Sequence, residues 1–110
     1  MATRLRLIFT KPTADEPWPF NRADLNGTEW KTEENQWESW FNSNRSESAT
    51  STMVSDTEMY VDIIFANRAE FDSYMVEQAS NNVGGQYQTA SWAQIESDDG
   101  YTFNYNVSDI

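Results

Sequence analysis

The apolar residues of this chain change their period along its length, and that change is what most limits the fold. Over residues 3–10, Leu5, Leu7 and Phe9 alternate with Arg4, Arg6 and Ile8, the pattern of a strand with one buried face. Trp30, Trp37, Trp40 and Phe41 then fall at i, i+7, i+10 and i+11, so four large rings share one stripe of a helix. Thr28 or Thr32 can cap that helix, and Glu29, Glu33 and Glu34 suit the positive end of its dipole. Residues 42–49 (NSNRSESA) read as a polar connector.

The period then returns to that of a strand. Met59, Val61, Ile63 and Phe65 alternate with Tyr60, Asp62 and Ile64. With the β-branched run before them and the break at Ser55-Asp56-Thr57, they predict two strands joined by a short turn. Asn67 stands three residues before Glu70, which is capping-box spacing, and a second helix starts there. Phe71, Tyr74, Met75 and Ala79 supply its buried face, and Asn81-Asn82 through Gly84-Gly85 end it. QYQTASWAQIE (86–96) and YTFNYNV (101–107) read as strands around a hairpin turn at Ser97-Asp98-Asp99-Gly100. Tyr101, Phe103, Tyr105 and Val107 share one face of the last strand.

The order β-α-β-β-α-β-β predicts an α+β fold. Its form is a ferredoxin-like βαββαβ sandwich with an extra C-terminal strand and one antiparallel sheet covered by two helices. The alternative is another small α+β arrangement, with the first helix at the sheet edge. A chain of 110 residues suits a single domain, 1–110.

Residue chemistry removes whole classes of function. The chain has no cysteine and no histidine, so it lacks the thiolate nucleophile, the disulfide framework and the commonest neutral-pH base and nitrogen ligand. Gly84-Gly85 is an isolated pair, not a phosphate-cradling loop. Glu33, Glu34 and Glu38 sit on the polar side of the tryptophan stripe and read as a solvated face rather than an acid–base pair. Asp98-Asp99-Gly100 and Asp56-Thr57-Glu58 lack the alternating spacing of a calcium loop and read as turns. No catalytic, cofactor-binding or metal-binding residue is assigned, and the expectation is a protein that is not an enzyme.

The charge points the same way. The net charge is −11, and from residue 69 onward there is no Lys or Arg against Glu70, Asp72, Glu77, Glu96, Asp98, Asp99 and Asp109. Such a one-sign field repels phosphate, which argues against direct nucleic-acid binding and against anionic membranes. It serves solubility, or it meets a basic partner by imitating a DNA backbone. No run of apolar residues approaches a membrane span, and the first residues lack the apolar core of a signal peptide, so the expectation is a protein made in the cytoplasm.

What remains is binding through aromatic side chains. In the loop over 11–27, Trp18 stands between Pro17 and Pro19 and is followed by Phe20. Two prolines exclude a helix interior or a central strand and hold the backbone extended. The ring therefore either folds back over the chain's own core or anchors a neighbour. The terminal strand YTFNYNVSDI is a second interaction element, because an edge strand can add to another sheet. The candidate partner-binding residues are Trp18, Phe20, Tyr101, Phe103 and Tyr105.

The opening ATRLRLIFTKPTADEPWPF, a basic-apolar strand running into a Pro-Trp loop, is followed by an acidic, cysteine-free body rich in Asn, Ser, Thr and Tyr. In this it resembles the small acidic proteins encoded by tailed bacteriophages. The resemblance implies a minor or accessory structural protein of the virion, packed against capsid, neck or tail subunits or against other copies of itself. The alternative it implies is a soluble inhibitor of a host protein, a DNA mimic that blocks a basic surface. A third expectation is a small cofactor-independent ferredoxin-like oxygenase or isomerase, which needs a closed pocket lined by Trp92 and by Asn or Tyr side chains. No cofactor and no small-molecule substrate is expected under the first reading, and the protein's place is the virion after synthesis in the host cytoplasm.

Overall fold

In the computed structural model, which describes residues 1–83 and 96–110, four strands and two helices follow the alternation of periods. The strands are β1 (Thr3–Thr10), β2 (Ala49–Ser55), β3 (Glu58–Phe65) and β4 (Thr102–Asp109). The helices are α1 (Glu29–Asn44) and α2 (Arg68–Ser80). All neighbouring strands run antiparallel in the order β2-β3-β1-β4, so the α+β class with an antiparallel sheet holds. The strand expected over 86–96, with Trp92, lies outside the described residues except for Glu96.

Register follows the alternation. Leu5, Leu7 and Phe9 stand opposite Ile63, Val61 and Met59 on one side of β1, and opposite Val107, Tyr105 and Phe103 on the other. These residues make one face of the sheet, and both helices pack on it. One cluster joins Phe9 and Met59 to Trp18, Leu25, Trp30 and Tyr101. The other joins Leu5, Ile63 and Phe65 to Trp40 and Phe41 of α1 and to Phe71 and Tyr74 of α2, and Leu7 packs against both clusters. Phe65 meets Phe71 edge-on at 5.6 Å and Tyr74 tilted at 5.2 Å, while Trp37 stacks on Phe41 at 4.9 Å. Such pairs contribute roughly 0.5–1.5 kcal/mol each beyond their burial.

The other face carries Arg4, Arg6, Ile8, Tyr60 and Asp62, and no described element covers it. There Arg6 grips Asp62, its direct cross-strand neighbour, through Nε at 2.8 Å and Nη2 at 3.0 Å. The Arg6 guanidinium also lies 4.3 Å from the Tyr60 ring centre.

Thr28 is the N-cap of α1, its hydroxyl accepting from the Lys31 N–H at 3.3 Å. The helix runs through Asn44, past the start of the expected connector. Its last turn is held by the Asn44 amide on the Trp40 carbonyl at 2.9 Å and by the Arg45 N–H on the Phe41 carbonyl at 3.0 Å. Arg45 then ties the helices together. Its guanidinium, nearly enclosed, meets Glu47 at 2.7 Å, Glu77 of α2 at 2.9 Å and Glu70 at 3.5 Å. Hydrogen bonding to Glu47, then to Glu77, holds its pKa above the usual arginine value.

α2 starts on Asn67, whose side chain accepts from the Glu70 N–H at 2.9 Å, and it is followed by Asn82 in the left-handed region at φ 55°. Phe71 and Tyr74 are buried, but Met75 and Ala79, expected beside them, are exposed. The hairpin expected at 97–100 is also corrected. Glu96–Asp99 form a helical turn that Gly100 closes, its N–H bonding the Glu96 carbonyl at 3.1 Å and its φ at 76°. Glycine is required there, since a Cβ would also come within 3.2 Å of Pro12.

The Pro-Trp loop turns inward. Pro19 opens a 3-10 turn, Pro19–Asn21, and a second spans Ala23–Leu25. Trp18 is only 8% exposed, with the Lys11 ammonium 5.0 Å from its ring centre. The Tyr101 hydroxyl donates to the Pro17 carbonyl at 2.5 Å, and Arg22 reaches Asp99 at 2.7 Å. Of the two roles open to Trp18, the ring takes the intramolecular one. Replacing Trp18 by Ala is expected to cost about 3 kcal/mol, seen as a lower Tm of the isolated protein. Tyr101→Phe is expected to cost about 1 kcal/mol by orphaning the Pro17 carbonyl.

Candidate functional site

The five residues expected to meet a partner separate into two groups. Trp18 and Tyr101 are enclosed in the chain's own core, and Phe20 packs against it, 5.1 Å from Phe9 and 5.6 Å from Trp30 between ring centres. Phe103 and Tyr105 instead line a concavity of about 280 Å³ at the β4 side of the sheet. Tyr105 is the most open of the five, 62% exposed.

This groove is a product of how far α2 reaches. The helix packs Phe71 and Tyr74 over the middle of the sheet, and its next residues do not extend to β4. Leu5 and Leu7 of β1 form the floor, Trp37 of α1 and Phe71, Tyr74 and Met75 of α2 form the walls, and Phe103 and Tyr105 form the far side. Met75 and Tyr105 are thus exposed apolar groups facing one opening. Sequence reasoning placed Met75 in the core and read Trp37 as packing. The available signal was the α2 pattern itself, which has only Phe71 and Tyr74 as large rings and so cannot cover a four-stranded sheet.

One polar contact fixes the wall. The Trp37 indole N–H donates to the Tyr74 hydroxyl at 3.1 Å. Burial pushes the Tyr74 phenol up to about 12, with the bond from Trp37 opposing the shift. Tyr74 is therefore a neutral, positioned wall at physiological pH and not a base.

Elsewhere several ionisable groups are held in structural pairs. Asp24 is lowered by its bond from Arg22, and Asp109 by the Thr3 hydroxyl and then by Arg68. Glu34, nearly buried on α1, lies 3.1 Å from the Lys31 ammonium, and Lys31 also donates to the Phe20 carbonyl at 2.7 Å. A second hollow under α1, about 460 Å³, has Glu34, Glu38 and Glu47 at its edge and Phe9, Phe41 and Val61 within. Among the described residues no group of three or more acidic side chains is placed to hold a metal ion, and no helix is long and apolar enough to cross a membrane.

Compared with protein families, curated proteins and solved structures, the chain has no significant match. The groove therefore carries the functional argument on its own geometry.

The raised Tyr74 has a consequence at high pH. An unfolded tyrosine ionises near 10, whereas the folded one holds its proton to about 12. Ionisation above pH 10 thus favours the unfolded chain, and stability falls as pH rises through that window, by on the order of 2 kcal/mol for this group. Urea denaturation at about pH 9 and about pH 11.5 should show the fall, and Tyr74→Phe should reduce it.

Proposed function

We propose that this chain is a non-enzymatic protein-interaction subunit on a ferredoxin-like frame, serving as a minor or accessory structural protein of a tailed-phage virion. The sequence of elements β1-α1-β2-β3-α2-β4 and the strand order β2-β3-β1-β4 support that frame. The observation that carries the interaction reading is the groove. It gathers Phe103 and Tyr105 with exposed Met75 around an apolar floor, the composition and shape of an anchor pocket for a partner's side chain. Its wall is a hydrogen-bonded Trp37–Tyr74 pair, rigid and uncharged, which suits docking better than proton transfer. The phage assignment rests on the resemblance of the opening strand and Pro-Trp loop, and with it come virion subunits as partners and synthesis in the host cytoplasm.

A soluble acidic inhibitor of a host protein is the second reading, favoured by the base-free stretch from residue 69 onward. The two differ in chemistry. A groove-led contact is mainly apolar and tolerates salt, whereas a charge-led one weakens steeply as salt screens it.

Affinity capture from purified particles and from infected cells, followed by mass spectrometry, separates them. Coat, neck or tail subunits retained at high salt support the virion role. A single basic host protein released by salt supports the inhibitor and overturns it. In the first case Tyr105→Ala combined with Met75→Ala is expected to reduce capture about tenfold or more, with the Tm nearly unchanged because both side chains are exposed.

A further inference from the structure

The strand order puts β2 at the opposite end of the sheet from the groove, and among the described residues β2 has little of the usual protection of an edge. All seven of its residues, Ala49 to Ser55, are exposed. They include no charged residue and no proline, in a chain of net charge −11. Edge strands are normally blunted by lysines, prolines, bulges or a covering segment, since their free backbone groups template the addition of another strand. Among the described residues the only such device is a register shift between Met53 and Ser55, which leaves Ala49–Met53 regularly paired with β3 and with no described strand on the other side.

We propose that the outer edge of β2 is a self-association surface, on which a second copy of this chain pairs its own β2 antiparallel to form one continuous eight-stranded sheet. Charge selects this occupant and this place. Two copies of an acidic chain repel, so they can only meet where carboxylates are not pressed together, and β2 is an uncharged strip. Of the two acids on β3, Asp62 opposite Thr50 is paired with Arg6, and Glu58 opposite Ser55 lies beyond the regularly paired stretch Ala49–Met53. The sequence also fits its own reverse. Pairing about Ser51 sets Thr50 against Thr52 of the partner subunit, where hydroxyls can bond, and sets Ala49 against Met53 of the partner subunit, small against large. Met53, 55% exposed in the single chain, is then covered.

This deepens the interaction reading by naming one partner, yet it does not use the groove. A two-fold pair through β2 leaves a groove at each far end, so one dimer would present two identical anchor sites and gain from avidity on a repeating surface.

Sedimentation velocity of the full chain across the micromolar range tests the proposal. The expected result is a reversible dimer that tightens as salt rises, because salt screens the net repulsion of the two chains. Thr50→Lys with Thr52→Lys sets lysine against lysine and should weaken the dimer about tenfold or more. The matching Thr50→Glu, Thr52→Glu chain should also be monomeric, and mixing the two should restore a heterodimer. Amide hydrogen exchange on the unaltered chain gives an independent reading, with slower exchange over 49–53 at high than at low concentration. A monomer at every concentration, a lysine variant that dimerises normally, or exchange over 49–53 that ignores concentration would overturn the proposal. Tyr105→Ala should lose captured partners and keep the dimer, so failure of the groove and failure of the β2 edge are told apart.

Discussion

The pairing of Arg6 with Asp62 across β1 and β3 is the constraint on which the rest is arranged. A strand has only two faces, and a slip of one residue exchanges them. In that slipped register Arg4 and Arg6 would enter the aromatic core while Leu5, Leu7 and Phe9 faced water. The two-pronged bond at 2.8 and 3.0 Å is available only when Arg6 and Asp62 stand directly opposite, so polar and apolar faces specify the same alignment. Because β1 also pairs with β4, the alignment propagates to Phe103, Tyr105 and Val107 and fixes which side of the sheet the groove opens on.

Above that sheet, packing is done by rings and orientation by charge. α1 brings Trp30, Trp40 and Phe41 down onto the sheet, and α2 brings Phe71 and Tyr74. Aromatic contacts alone leave two helices some freedom to slide. Arg45, at the end of α1, removes it by joining Glu47 to Glu70 and Glu77 on α2. Breaking such an enclosed pair leaves an uncompensated charge, so it acts as a positional lock more than as a source of stability. With α2 held there, no other described element covers the groove beside β4.

Much of this was legible in the sequence because periodicity reports on burial. The alternation at Leu5, Leu7 and Phe9 and at Met59 through Phe65 named the inward face residue by residue, and Thr28 and Asn67 marked helix starts through their own hydrogen-bond chemistry. Periodicity says which side a residue faces, not how far a neighbouring element extends. Met75 lies on the inward side of α2 and is still exposed, since the helix stops short of the sheet edge. Trp18 is a different case: no period applies in a proline loop, so the sequence left its two roles open, and its burial depends on contacts with residues distant in the chain such as Tyr101. The Asp-Gly pair at 99–100 likewise suits a hairpin and a helix end equally, and the pair alone does not distinguish them.

The longest-range contacts share a direction. Thr3 bonds Asp109, Pro17 receives the Tyr101 hydroxyl, Arg22 reaches Asp99, and the central strand takes one of its two neighbours from residues 102–109. In a chain emerging from the ribosome in order, β3, α1 and α2 can cover Leu5 and Leu7 early, but the ring of Trp18 lacks Tyr101, and one edge of β1 lacks β4, until residues 101–109 appear. The Trp18 side of the core therefore waits for residues 101–109 while the other side can already close, which makes the interval before they appear the period of greatest aggregation risk. The negative charge does not cover that interval evenly: residues 1–68 carry seven bases against eleven acids, so most of the net −11 arrives only with the later, base-free stretch.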